Sequence, residues 1–152
     1  MHSNVFQIGL KQDMQPVTED VVLESRFVQA DDATILHDKR HERIEILVNE
    51  ILPKGMFAWD NENCLTYTGG MKEWREQYAQ HIKDATAKLD GDNVFQLQFR
   101  IINAVLRDSH VNSLFIWDED NYADYFTGFM ETVSRLKEGT RLYIGTVMDY
   151  HF

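Results

Sequence analysis

The chain has 152 residues, 43% of them hydrophobic, with 25 acidic side chains against 15 basic ones for a formal charge of −10. Such a composition excludes a disordered polypeptide. The charge disfavours nucleic acid and anionic membrane surfaces and attracts basic protein surfaces.

The acidic excess is spread along the chain: −5 over residues 1–53, −1 over 54–91 and −4 over 92–152. A single cysteine, Cys64, rules out an intramolecular disulfide, which fits a reducing cytoplasm. No basic and then apolar leader opens the sequence, and no run approaches the roughly 18 apolar residues of a membrane span. The expectation is a cytoplasmic protein of one α+β domain over residues 1–152. Its mixed β-sheet is built from a hairpin plus a C-terminal strand-helix-strand unit and packs with about four helices.

In chain order, Phe6, Ile8 and Leu10 alternate over residues 4–10 and predict a half-buried strand. Residues 18–28 mix a helix start at Thr18 with strand formers, and helix is the reading taken. Ile44, Leu47, Val48, Ile51 and Leu52 predict a helix over 33–52, capped by Asp31 or Asp32 and stopped by Pro53 and Gly55. Residues 55–59 and 64–68 flank the polar turn Asp60-Asn61-Glu62-Asn63 and predict a hairpin.

The stripe Met71, Trp74, Tyr78, Ile82, Ala85 and Leu89 predicts a helix over 70–89. Residues 94–106 fit helix or strand, and the absence of a breaker favours helix. Leu114–Trp117 reads as a buried strand, 120–137 as a helix and 142–148 as a strand, which together predict a right-handed parallel crossover.

Two constellations carry possible chemistry. His37 and His41, four apart on a helix, face one side, and Glu45 one turn on adds a carboxylate, so the three form a candidate site for a divalent metal. A Glu directly after the first His, as hydrolytic helices have, is replaced by Asp38. The competing reading makes His41 a half-buried residue at the edge of the apolar stripe.

The second constellation is Asp118-Glu119-Asp120, at the carboxyl end of a strand. Its Asp-x-Asp spacing is similar to that of haloacid-dehalogenase-like phosphotransferases. The glycine-threonine continuation is replaced by Asn121-Tyr122, however, and the chain has no room for the later strands of that family. Helix capping by Asp118 or Asp120 explains the same residues.

No serine stands in a nucleophile elbow, no glycine-rich phosphate loop is present, and the basic residues are interleaved with acids. The expected function is therefore a non-catalytic acidic protein, of inhibitor, immunity or antitoxin-like, or adaptor type, docking on a basic partner protein. Asp60, Glu62, Asp118, Glu119, Asp120 and Asp124, with Trp59 and Trp117 as apolar anchors, form the candidate contact set. The alternatives are a small metal-dependent enzyme or metal-binding regulator using His37 and His41, and a homo-oligomer joined through the aromatic tail of Tyr143, Tyr150 and Phe152. No binding of nucleic acid or membrane is expected, and no cofactor beyond the possible metal.

Overall fold

Strand β1, His2–Gly9, runs through the middle of a seven-stranded mixed sheet, which is why its residues from Asn4 to Gly9 are buried on both faces. The computed structural model describes residues 2–24, 30–87, 90–92, 94–96, 113–118 and 122–151. The remaining strands are β2 (Asp32–Ile35), β3 (Phe57–Trp59), β4 (Cys64–Tyr67), β5 (Leu114–Trp117), β6 (Tyr122–Tyr125) and β7 (Arg141–His151). Among the described residues four α-helices accompany them: α1 (Glu19–Leu23), α2 (Arg40–Ile46), α3 (Met71–Ala87) and α4 (Phe126–Val133). The expected α+β class with a mixed sheet is the class the chain adopts.

The strand order is β3-β4-β7-β1-β5-β6, with β2 on the same side of β7 as β4. β1 and β5 pair in parallel and the other ladders are antiparallel. Eleven-residue β7 meets β4 only through Arg141–Tyr143, so the backbone groups at its far end need another partner. β2 supplies it, pairing Asp32 with His151 and Ile35 with Met148. Residues 33–35 are therefore strand rather than the expected helix start, and Lys39, not Asp31 or Asp32, stands at the N-cap. α2 begins at Arg40, and a π turn over Leu47–Ile51 closes it, with Leu52 N donating to Leu47 O at 2.8 Å. Ile44, Leu47, Ile51 and Leu52 are buried as their spacing predicts.

Three further expectations are corrected. Leu10 falls just beyond β1 and is 44% exposed. Tyr122–Tyr125 turns back antiparallel onto β5 instead of opening a helix, because aromatic residues suit a pleated surface and the β5 edge is open there. The helix starts only at Phe126. No parallel crossover joins β5 to β7, since β7 is antiparallel to β1 while β5 is parallel to it.

Alternation distributes the core over two faces. Val5, Leu114, Ile116, Met148 and Tyr150 form one cluster, covered by Val17 and by Val22 of α1. Phe6, Ile8, Phe115 and Trp117 occupy the other face, where Phe129 of α4 stacks on Phe115 at 4.3 Å and on Trp117 at 5.7 Å.

Contacts divide the chain into two units, residues 1–69 with 112–152, and residues 70–111. In the second unit the predicted helix is α3, with Trp74 and Tyr78 stacked one turn apart at 5.2 Å. A 3-10 turn, Val94–Gln96, follows, and the rest of the 94–106 segment lies outside the described residues. The same holds for residues 25–28 of the ambiguous 18–28 segment, whose first part is α1.

Candidate functional site

A bulge in β7 organises the first unit. Phe6 pairs with Val147 and Ile8 with Ile144, so Gly145 and Thr146 together face the single residue Gln7. The extra residue reverses the alternation and lets both Ile144 and Val147 remain buried.

Gln7, 1% exposed, satisfies its whole amide there. Its Nε2 donates to Gln15 O at 2.7 Å and to Asp118 Oδ1 at 3.0 Å, and its Oε1 accepts from Thr146 N at 3.0 Å and Val17 N at 3.4 Å. One side chain thereby pins the Gln15–Val17 strap, the bulge and the end of β5 to one point. Glycine is required where these segments converge. A Cβ on Gly9 would stand 2.5 Å from Met14 Sδ and 2.7 Å from Asp118 Cβ.

Arg40 opens α2 and fastens it to the same bulge. Its Nη2 donates to Ile144 O at 2.7 Å and Gly145 O at 2.8 Å, its Nε to Gly145 O at 3.3 Å, and its Nη1 to Asn63 Oδ1 in the hairpin turn. Burial pushes the Arg40 guanidinium below its ordinary pKa.

The Arg40–Asn63 contact draws α2 against the β3–β4 turn and so brings together two sets that the sequence separates. His41 packs on Trp59 with ring centroids 5.4 Å apart. His41 Nε2 stands 3.8 Å from Glu45 Oε1, both side chains being more than half exposed. Trp59, itself half-buried, donates from Nε1 to Glu62 O at 3.3 Å.

Asp60 Oδ1 accepts from Glu62 N at 2.9 Å and Cys64 N at 3.0 Å, closing the turn as an Asx motif. Asn61 takes the left-handed conformation the turn needs, φ 65°. Those amides, Cys64 first, with Arg141 nearby, hold the Asp60 carboxyl below its ordinary pKa. The result is a half-buried tryptophan packed on His41, with the exposed Asp60 and Glu62 in the turn that follows it and the exposed Glu45 beside His41.

The other proposed contact residues do not join this surface. Asp118 receives the Gln7 amide and its own N donates to Ile8 O at 3.0 Å, so it clasps the carboxyl ends of β1 and β5. Together with Lys11, Asp13 and Thr18 it lines a cavity of about 480 Å³. It does not cap α4, whose N-cap residue is Tyr125 without a side-chain cap bond.

Asp124 lies on β6, where its Oδ1 accepts from Tyr125 N at 2.8 Å. Five strand intervals separate β3 from β6, about 24 Å at the usual strand spacing. Trp117 is 7% exposed and stacked on Phe129, hence a core residue rather than an anchor for a partner. Glu119 and Asp120 lie outside the described residues.

His37 sits in the bend before α2, not on the helix, so it does not share a helix face with His41. Among the described residues no three His, Cys, Asp or Glu side chains are grouped to hold a metal ion. Tyr150, expected at a symmetric interface, is 2% exposed inside its own core. Phe152 lies outside the described residues. Among the described residues no helix is long and apolar enough to cross a membrane.

No family model, curated protein or solved structure matches this chain. The functional reading therefore rests on the residues themselves. Of these, sequence reasoning overlooked Gln7, Arg40, Gly145 and Thr146. A signal was present: Gln7 interrupts an apolar strand, and Gly145-Thr146 breaks the alternation of another.

Proposed function

We propose that the chain is a non-catalytic protein-binding protein, of inhibitor, immunity or adaptor type, that docks through the α2–hairpin surface onto a basic region of a partner protein. The observation that carries the reading is Trp59, half-buried against His41, on a turn that exposes Asp60 and Glu62 and next to a helix that exposes Glu45 beside His41. A tryptophan held in place on an acidic turn suits an interface anchor with a charged rim. The charge of −10 adds long-range steering toward a basic surface.

The test is a pull-down from the native source with tagged protein, washed at rising salt, for wild type, Trp59→Ala and the pair Glu45→Gln with Glu62→Gln. The expected result is a stoichiometric basic partner that elutes as salt rises. Trp59→Ala lowers its affinity at least tenfold, and the double variant slows association and flattens the salt dependence. A partner held equally by Trp59→Ala, or equally at low and high salt, refutes this assignment of the surface.

A further inference from the structure

We propose that the cavity between α2 and the β7 bulge is a binding site for a small anion with a short apolar chain, such as a medium-chain carboxylate. The cavity measures about 290 Å³ and carries Arg40, His37 and Thr146 on its wall. Most of the remaining lining is apolar, from Met14, Pro16, Ile35, Leu36 and Val147. In a chain of charge −10 no acidic side chain is among the described residues that line it, while Arg40 brings a positive charge and His37 an imidazole.

Charge complementarity selects the ligand. Arg40 is half-buried, and its hydrogen-bond partners are the neutral oxygens of Ile144, Gly145 and Asn63. These oxygens solvate the guanidinium without neutralising it, and among the described residues no carboxylate pairs with it at the cavity wall. A partly desolvated cation of this kind gains from an anion more than an exposed one does.

Thr146 adds a directed donor. Its Oγ1 accepts from Val17 N at 3.2 Å, which leaves the hydroxyl hydrogen for a ligand oxygen. Gln7, although it also lines the cavity, has its amide fully engaged and offers the ligand nothing. A volume near 290 Å³ lies at the small end of ligand cavities, which suits a chain of a few carbons rather than a nucleotide or a long lipid. The site shares Arg40 with the α2–hairpin surface but does not rest on the protein-binding reading.

The experiment is a titration of hexanoate, with hexan-1-ol as the neutral control, into ¹⁵N-labelled full-length protein, followed by amide shifts. Hexanoate is expected to give saturable shifts concentrated at Ile35–Arg40 and Gly145–Val147, with hexan-1-ol at least tenfold weaker. Thr146→Val, which removes the hydroxyl at nearly constant shape, weakens hexanoate about fivefold and the alcohol less, since a neutral oxygen is the poorer acceptor. Arg40→Gln abolishes the preference for the anion. Should that variant fail to fold, the comparison of hexanoate with hexan-1-ol and the Thr146→Val variant decide alone. Equal binding of acid and alcohol, shifts centred elsewhere, or no saturation with hexanoate overturns the proposal.

Discussion

Gln7 and Gly145 face each other across the β1–β7 seam so closely that a Cβ on Gly145 would stand 2.6 Å from Gln7 Oε1. The missing side chain is what admits the amide that fixes strap, bulge and strand end. Gly145→Ala should therefore destabilise by about 1–3 kcal/mol through overpacking. Gln7→Leu should cost about 3 kcal/mol, because Thr146 N and Gln15 O lose their partner inside the fold. The double variant removes the clash as well as the amide, so its cost should fall below the sum of the two. Urea unfolding of the four proteins measures the cycle, and strict additivity would show that the two residues do not meet.

The Asp60 carboxyl is held below its ordinary value of 3.8 by the amides of Cys64 and Glu62, so the ionised group stabilises the folded state more than the protonated one does. For a carboxyl with a depressed folded pKa, that contribution is fully present above the unfolded value and disappears as pH falls through the folded one. Asp60→Asn keeps an acceptor but cannot titrate. The stability gap between wild type and Asp60→Asn should be constant above about pH 5 and close below 3.8. Chemical denaturation across pH 2–7 reads this directly. Asp60→Ala should cost about 1 kcal/mol at neutral pH through the lost turn bonds.

How far the sequence reached depends on the range of the forces involved. The hairpin was legible because Asp60-Asn61-Glu62-Asn63 carries its own turn chemistry, and Met71–Ala87 because its apolar stripe repeats over nearly five turns. Asp32–Ile35 and Tyr122–Tyr125 were misread because their strand state comes from open edges of β7 and β5, which lie distant in sequence. Tertiary pairing outweighed the helical spacing of Tyr122, Tyr125 and Phe126. In the candidate site, Trp59, Asp60 and Glu62 were visible as a turn, and His41 and Glu45 as a helix face. That the two sets form one surface depends on Arg40 bridging to Asn63, a contact that neither local pattern encodes.

Tyr150 carries an alkaline counterpart to the Asp60 prediction. It is 2% exposed in the core cluster of Val5 and Met148, and burial, together with the neighbouring Tyr125, pushes its phenol up to about 12. Ionisation of a phenol inside that cluster is disfavoured relative to the unfolded chain. Stability should therefore be intact below the unfolded value of 10.0 and drain away as pH rises toward about 12. Tyr150→Phe, which cannot ionise, should lose less stability than wild type over that interval. Spectrophotometric titration at 295 nm should find one phenol ionising later than the rest, and its absence from Tyr150→Phe would confirm the assignment.

Phe129 is the keystone of the second sheet face. It stacks on Phe115 and Trp117 and tilts against Phe57, so one ring from α4 touches side chains of β5 and β3, which lie on opposite sides of β1 in the sheet. Phe129→Ala leaves a cavity that the rigid sheet cannot collapse into, and should cost about 3–5 kcal/mol. Phe129→Leu keeps most of the volume and should cost about 1–2 kcal/mol, the lost stacking included. Since Trp117 lies directly on this ring, its fluorescence should shift to the red in Phe129→Ala as water reaches the indole. Trp59, on the α2–hairpin surface, should keep its environment in the same variant. A pull-down with Phe129→Leu that still retains the partner would then separate loss of core packing from loss of the docking surface.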